Sequence, residues 1–217
     1  MADPNNLVVH PHRLVLMLTC KAANTSVKRA LADALDLPRL DVPERLEPHR
    51  RIEVHLPTIN KADAFELRQR GYLVVGFARH PLARLASCWR DKVQRAFHKP
   101  FARKYGDAVR PKMPFAAFVD FMARTPDGVA DQHFRSMAWE LLDAAGLKIP
   151  TALFKVDDDG WWESLREVVA GGCGLDLGPE RQENRSADGN WQALYDGPHE
   201  AIARARYARD FTAFGYD

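Results

Sequence analysis

Cysteine is scarce in this chain: three residues in 217, at positions 20, 88 and 173. The number is odd and no CxxC pair occurs, which excludes a disulfide framework or a cysteine zinc site as the organising device and fits a reducing compartment. Long apolar runs are missing too, so no membrane span is expected. The opening MADPNNLVVHPHRLV is polar and prolyl before a very short apolar stretch, unlike a signal peptide. The expectation is a cytoplasmic protein. Nor is there an excess of charge of one sign, since 31 Lys and Arg meet 29 Asp and Glu for a net +2. The charge is unevenly placed, however: from Arg79 to Lys112, ten Lys and Arg face two Asp, and such a segment attracts anions. No helix-turn-helix, zinc or single-strand-binding signature accompanies it, so nucleic acid is not the expected partner. A phosphorylated or sulfated small molecule, or merely a solvated basic face, remains.

With 46% apolar and 28% charged residues, the composition is that of a globular protein, and its length suits one domain over residues 1–217. Leu14 to Leu18 reads as a buried strand, followed by Val27, Ala30, Leu31, Ala34 and Leu35 at helical spacing. Ile52, Val54 and Leu56 alternate with polar residues as a weak strand, and Tyr72 to Ala78 as a stronger one leading into a helix from Pro81. Residues 97–114 lack periodicity and read as a surface excursion or lid, followed by a short helix over 115–122. An amphipathic helix is expected from Asp131, carrying Phe134, Met137, Ala138, Leu141 and Leu142. A strand follows over 151–156, and Asp157 to Asp159 would cap a helix ended by the glycines from Gly171. Strands alternating with helices imply an α/β fold, a mostly parallel central sheet flanked by helices, with ligands at the carboxyl ends of the strands.

The loop after Leu18, TCKAANTS, would then bring backbone N–H groups and a helix N-terminus to one point, a phosphate-binding arrangement of P-loop type. Lys21 adds a positive charge, and Thr25 and Ser26 add hydroxyls. The pattern GxxxxGK[ST] is absent, which disfavours a conventional ATP site. At the end of the second strong strand, Arg79 can fork onto a phosphate while Ser87, eight positions later, donates a hydroxyl. Taken singly, each stretch also reads as an ordinary polar loop or charged strand end.

Together they resemble the sulfotransferases that use 3′-phosphoadenosine 5′-phosphosulfate (PAPS), in particular the carbohydrate-type branch. TCKAANTSVKRAL resembles that family's 5′-phosphosulfate loop, and ARHPLARLASCWRDK its 3′-phosphate motif, RDPxxRxxSxYRDK. DQHF from Asp131, NRS from Asn184 and the ending YARDFTAFGYD resemble three further elements in the family's order. Cys20 replaces the usual Pro, Ala22, Ala23 and Asn24 the glycine-rich run, His80 the Asp and Phe134 the Trp.

The resemblance implies that Lys21, Ala22, Ala23, Asn24, Thr25 and Ser26 hold the 5′-phosphosulfate, with Lys21 as the cation at the leaving group. It implies that Arg79 and Ser87 hold the 3′-phosphate, and that Asn184 and Ser186 also contact the cofactor. His55, lying between the two motifs, ranks first as catalytic base, and His133 second. Lys28 faces the same helix start or is simply exposed. The implied reaction is transfer of a sulfuryl group from PAPS to an acceptor hydroxyl, a carbohydrate favoured, releasing PAP. No metal is expected, and the Ala- and Arg-rich composition suggests a bacterial source. A P-loop-like kinase and a non-catalytic nucleotide- or polyanion-binding module are the alternatives.

Overall fold

The run from Leu14 to Met17 is apolar without alternation, as a strand buried on both faces requires, and all four residues are buried. In the computed structural model, which describes residues 3–95, 99–180 and 190–217, this run is β2 (Leu14–Met17) of a four-stranded sheet. Its neighbours are β1 (Asn6–Val9), antiparallel to it, and β3 (Leu73–Ala78), parallel; β4 (Ala152–Lys155) runs parallel to β3 at the edge. The spatial order is that of the sequence, and the described residues also form ten α-helices, of which α3 (Lys61–Gln69) leads into β3. This is the α/β architecture with a mostly parallel sheet that the alternation implies. No helix among these residues is long and apolar enough to cross a membrane.

Contacts divide the chain into two compact units. The first, Met1–Ala78 with Glu140–Arg185, contains the sheet. Here α1 (Asn24–Ala34) and α8 (Trp161–Cys173) contribute Val27, Leu31, Trp162, Leu165 and Val169 to a core shared with Leu16, Val75 and Phe77. The tryptophan pair packs, Trp161 edge-on to Phe77. Gly172 lets α8 approach β3: a Cβ there would lie 2.9 Å from Leu73 Cδ2. The second unit, Arg79–Trp139 with Ser186–Asp217, packs α4 (Pro81–Trp89), α6 (Phe115–Ala123) and α9 (Gly197–Arg206) around Leu85, Phe118, Phe134 and Tyr207.

Four local expectations are corrected. Residues 52–56 are not a strand: α2 (Glu47–His55) covers them, and its buried residues Glu47, Pro48, Arg51 and Ile52 recur at helical spacing while Val54 is exposed. Asp131 does not open a helix. It opens a turn, its carbonyl accepting the amides of Phe134 and Arg135, and α7 (Met137–Leu141) starts only after Ser136 has given its amide to Asp127. The Asp157–Asp159 carboxylates do not cap α8, whose N-cap is Gly160, and α8 runs through Gly171 and Gly172 to stop at left-handed Gly174. Finally, 97–114 is not without regular structure over its described part: it carries α5 (Lys99–Tyr105), and Phe101 and Val109 are buried.

Candidate functional site

In the first unit the chain leaves β2 at its carboxyl end and turns through residues 19–23 into α1. Two non-glycine residues there, Lys21 (φ 68°) and Ala23 (φ 54°), adopt the left-handed conformation. Ala23 is the N-cap and offers no side-chain acceptor, so the amides of Asn24, Thr25 and Ser26, which lack intrahelical acceptors by helix geometry, open the helix as a set of directed donors. Lys21 and Thr25 are partly exposed beside them, while Ala22, Asn24 and Ser26 are buried. The donor set is one that an anionic phosphate or sulfate fits, amides and a cation together.

The loop is braced from below. Thr19 Oγ1 donates to the Phe77 carbonyl on β3 at 2.5 Å. Asn5 holds three points of it: its carbonyl accepts the Leu18 amide (2.8 Å), its Nδ2 reaches Cys20 Sγ (3.7 Å), and its Oδ1 accepts Asn24 Nδ2 (2.9 Å). Cys20, where a proline side chain would offer neither donor nor acceptor, is thus tied into the scaffold. Lys28, one turn along α1, is buried rather than exposed. Burial pulls its ammonium below the usual lysine range against the attraction of Cys20, Glu53 and Asp3, and its Nζ is 3.5 Å from the Pro4 carbonyl.

The histidines sort by their place on α2. Arg51 docks this helix on α1, donating to Asp33 (2.6 Å) and to the carbonyls of Ala32 and Leu37. That docking sets His49 Nε2 3.1 Å from Thr25 Oγ1, in the first turn of α1 beside the loop. His55, six residues on, lies about 9 Å further along the helix. It lines a cavity with Val8, Val9, His10 and Pro11, beside the β1–β2 connection at the amino end of β2, and its Nε2 is buried. The structure therefore brings His49, which the sequence reading passed over, to the loop, and places His55 at the other end of the strand. Only the helical register of residues 47–55 would have revealed this.

In the second unit Arg79 and His80 join the end of β3 to α4, and both are partly exposed. The Arg79 amide donates to Met137 Sδ at 3.4 Å. Ser87, two turns into α4, is partly exposed. Arg84, between them in sequence, is buried, and its two terminal nitrogens donate to the carbonyls of Arg135 (2.6 Å) and Gln132 (2.9 Å). Those bonds hold the turn that carries His133. Asp131 Oδ1 accepts both the His133 amide (3.0 Å) and its ring Nδ1 (2.6 Å), a pairing that assigns the proton to Nδ1 and basicity to Nε2. Burial raises the Asp131 carboxyl, but the His133 bonds and Lys104 outweigh it and hold the group at about 2. Asn184 and Ser186 lie outside the described residues.

The described residues contain no cluster of His, Cys, Asp and Glu that would hold a metal. Of the comparisons with known proteins, one is positive: a family model described as "Sulfotransferase family" matches residues 4–158, which include the loop, Arg79, Ser87 and His133. No curated protein matches the chain, and neither does any solved structure.

Proposed function

From the premise that this chain belongs to the sulfotransferase family, whose model covers residues 4–158, we propose that it transfers a sulfuryl group from PAPS to the hydroxyl of an acceptor, a carbohydrate or glycoconjugate by its family branch. The observation that carries the reading is the loop between β2 and α1, a lysine and a row of helix-terminal amides on a braced backbone.

PAPS supplies the activated sulfuryl group. The loop's amides from Ala23 to Ser26, with the Thr25 hydroxyl, bind the 5′-phosphosulfate while Ala22 closes the turn onto the Thr19 carbonyl, and Lys21 meets the negative charge that grows on the departing phosphate oxygen. Arg79 and Ser87 bind the 3′-phosphate and so select PAPS over ordinary nucleotides; Asn184 and Ser186 complete the cofactor contacts by family resemblance. As the S–O bond to the acceptor forms and that to the phosphate breaks, the acceptor's proton passes to His133 Nε2, with Asp131 holding the imidazole in the right tautomer. His133 takes precedence over His55 as base because of this carboxylate pairing and because of where α2 leaves His55. His49 orients Thr25.

Calorimetric titration with PAP, and separately with ADP and magnesium, tests the reading. PAP should bind tightly, ADP much more weakly, and both Arg79→Ala and Lys21→Ala should weaken PAP. Equal binding of ADP, or no PAP binding, overturns it in favour of a kinase or a polyanion-binding module.

A further inference from the structure

We infer that Asp210, in the C-terminal helix, is a positioning residue that sets Arg79 for recognition of the 3′-phosphate. The inference rests on the reading above, in which Arg79 binds that phosphate. Asp210 lies in α10 (Ala208–Phe214) and is fully buried. Its two oxygens are committed to backbone: Oδ2 accepts the Met137 amide (3.0 Å) and Oδ1 the Ala138 amide (2.7 Å). A carboxylate removed from water is costly, and this one does a geometric job, fixing the first turn of α7 and with it Met137. The sulfur of that methionine accepts the Arg79 amide at 3.4 Å. The path from carboxylate to Arg79 has one intermediate residue.

The same helix grips the next residue as well. Phe211 stands edge-on to the His80 ring at 5.6 Å, Tyr216 at 5.5 Å, and His80 Nε2 is 3.4 Å from the Asp217 carbonyl. Where the family's aspartate would cap α4, His80 makes no side-chain cap, and its ring is clasped by the C-terminal residues instead. The ending ARDFTAFGYD thus holds the Arg79–His80 corner from two sides. Burial raises the Asp210 carboxyl to about 6 against its two amide bonds and Arg84; Asp127, Arg206 and Tyr207 are the other ionisable groups facing it.

The test is titration of the full chain with PAP and with adenosine 5′-phosphate, which lacks the 3′-phosphate, in the Asp210→Asn, Met137→Leu, double and Arg79→Ala variants. Each of the first two should weaken PAP about tenfold, the loss of one charge-assisted or buried hydrogen bond, and leave adenosine 5′-phosphate unchanged. The double variant should be no worse than the weaker single one, because both act on one path. Met137→Leu keeps the side-chain volume, so it reads the path even where Asp210→Asn folds poorly. Parallel loss of both nucleotides, no loss of either, or multiplicative effects would overturn the inference. If Arg79→Ala leaves the ratio of the two affinities intact, the 3′-phosphate reading itself falls. If it collapses the ratio while Asp210→Asn and Met137→Leu do not, only the positioning role falls.

Discussion

His49 Nε2 and Thr25 Oγ1 meet at 3.1 Å across the contact between α2 and α1. The bond ties a helix that carries no phosphate ligand to the hydroxyl proposed to bind one. His49→Ala should therefore weaken PAP about threefold to tenfold, the worth of one neutral hydrogen bond. His55→Ala, at the other end of α2, should leave PAP affinity unchanged. Titration calorimetry on the two variants separates them.

Asn5 braces the loop through three bonds. Asn5→Ala removes the side-chain pair and strands the amide of Asn24 in a buried setting, at a cost of about 1–3 kcal/mol. Urea denaturation should report that loss of stability. PAP affinity should fall as well, because the first turn of α1 loses its fixed point.

Turnover assigns the base. His133→Gln should lower kcat by at least about 100-fold, as the loss of a general base does, with PAP affinity retained. Asp131→Asn should lower kcat too, since a neutral amide no longer fixes the imidazole tautomer. Retained turnover in His133→Gln would return the role to another histidine.

Two carboxylates give opposite pH signatures. Asp131 is held at about 2, below the unfolded value of about 3.9, so its contribution is present at neutral pH and lost as the pH falls from about 4 to 2. Asp210 is raised to about 6, so the folded state takes up its proton first and gains stability as the pH falls from about 7 to 4. Denaturation of wild type against Asp131→Asn and Asp210→Asn should show the difference narrowing in the first window and moving in favour of wild type in the second.

Much of the sheet was legible because its strands are buried on both faces: β2 and β3 are unbroken apolar runs, and the loop and Arg79 follow from where those runs end. The α2 segment was not, for a definite reason. Its buried face carries Glu47 and Arg51, a buried ion pair and backbone contacts in place of hydrocarbon, so apolar spacing reported Ile52, Val54 and Leu56 and gave the wrong period. That error displaced the histidine of interest by six residues. DQHF misled similarly: the apolar spacing after Asp131 is real, but the Asp131 and Asp127 side chains and carbonyls capture the local amides and hold a turn. The role of Asp210 depends on contacts 72 and 73 residues apart, which no local pattern announces.

The loop between β2 and α1 holds Lys21 and Ala23 in left-handed backbone, Ala23 falling in the run where the family favours glycine. Glycine would enter that conformation at no steric cost but also leave it freely; a side chain pays to enter and has few alternatives once the surrounding bonds hold it there. The loop is consequently fixed in advance, and little freedom would remain to be surrendered on binding the proposed nucleotide. Ligand exchange at this loop should then be set by diffusion and charge, without the slow phase that a folding loop imposes.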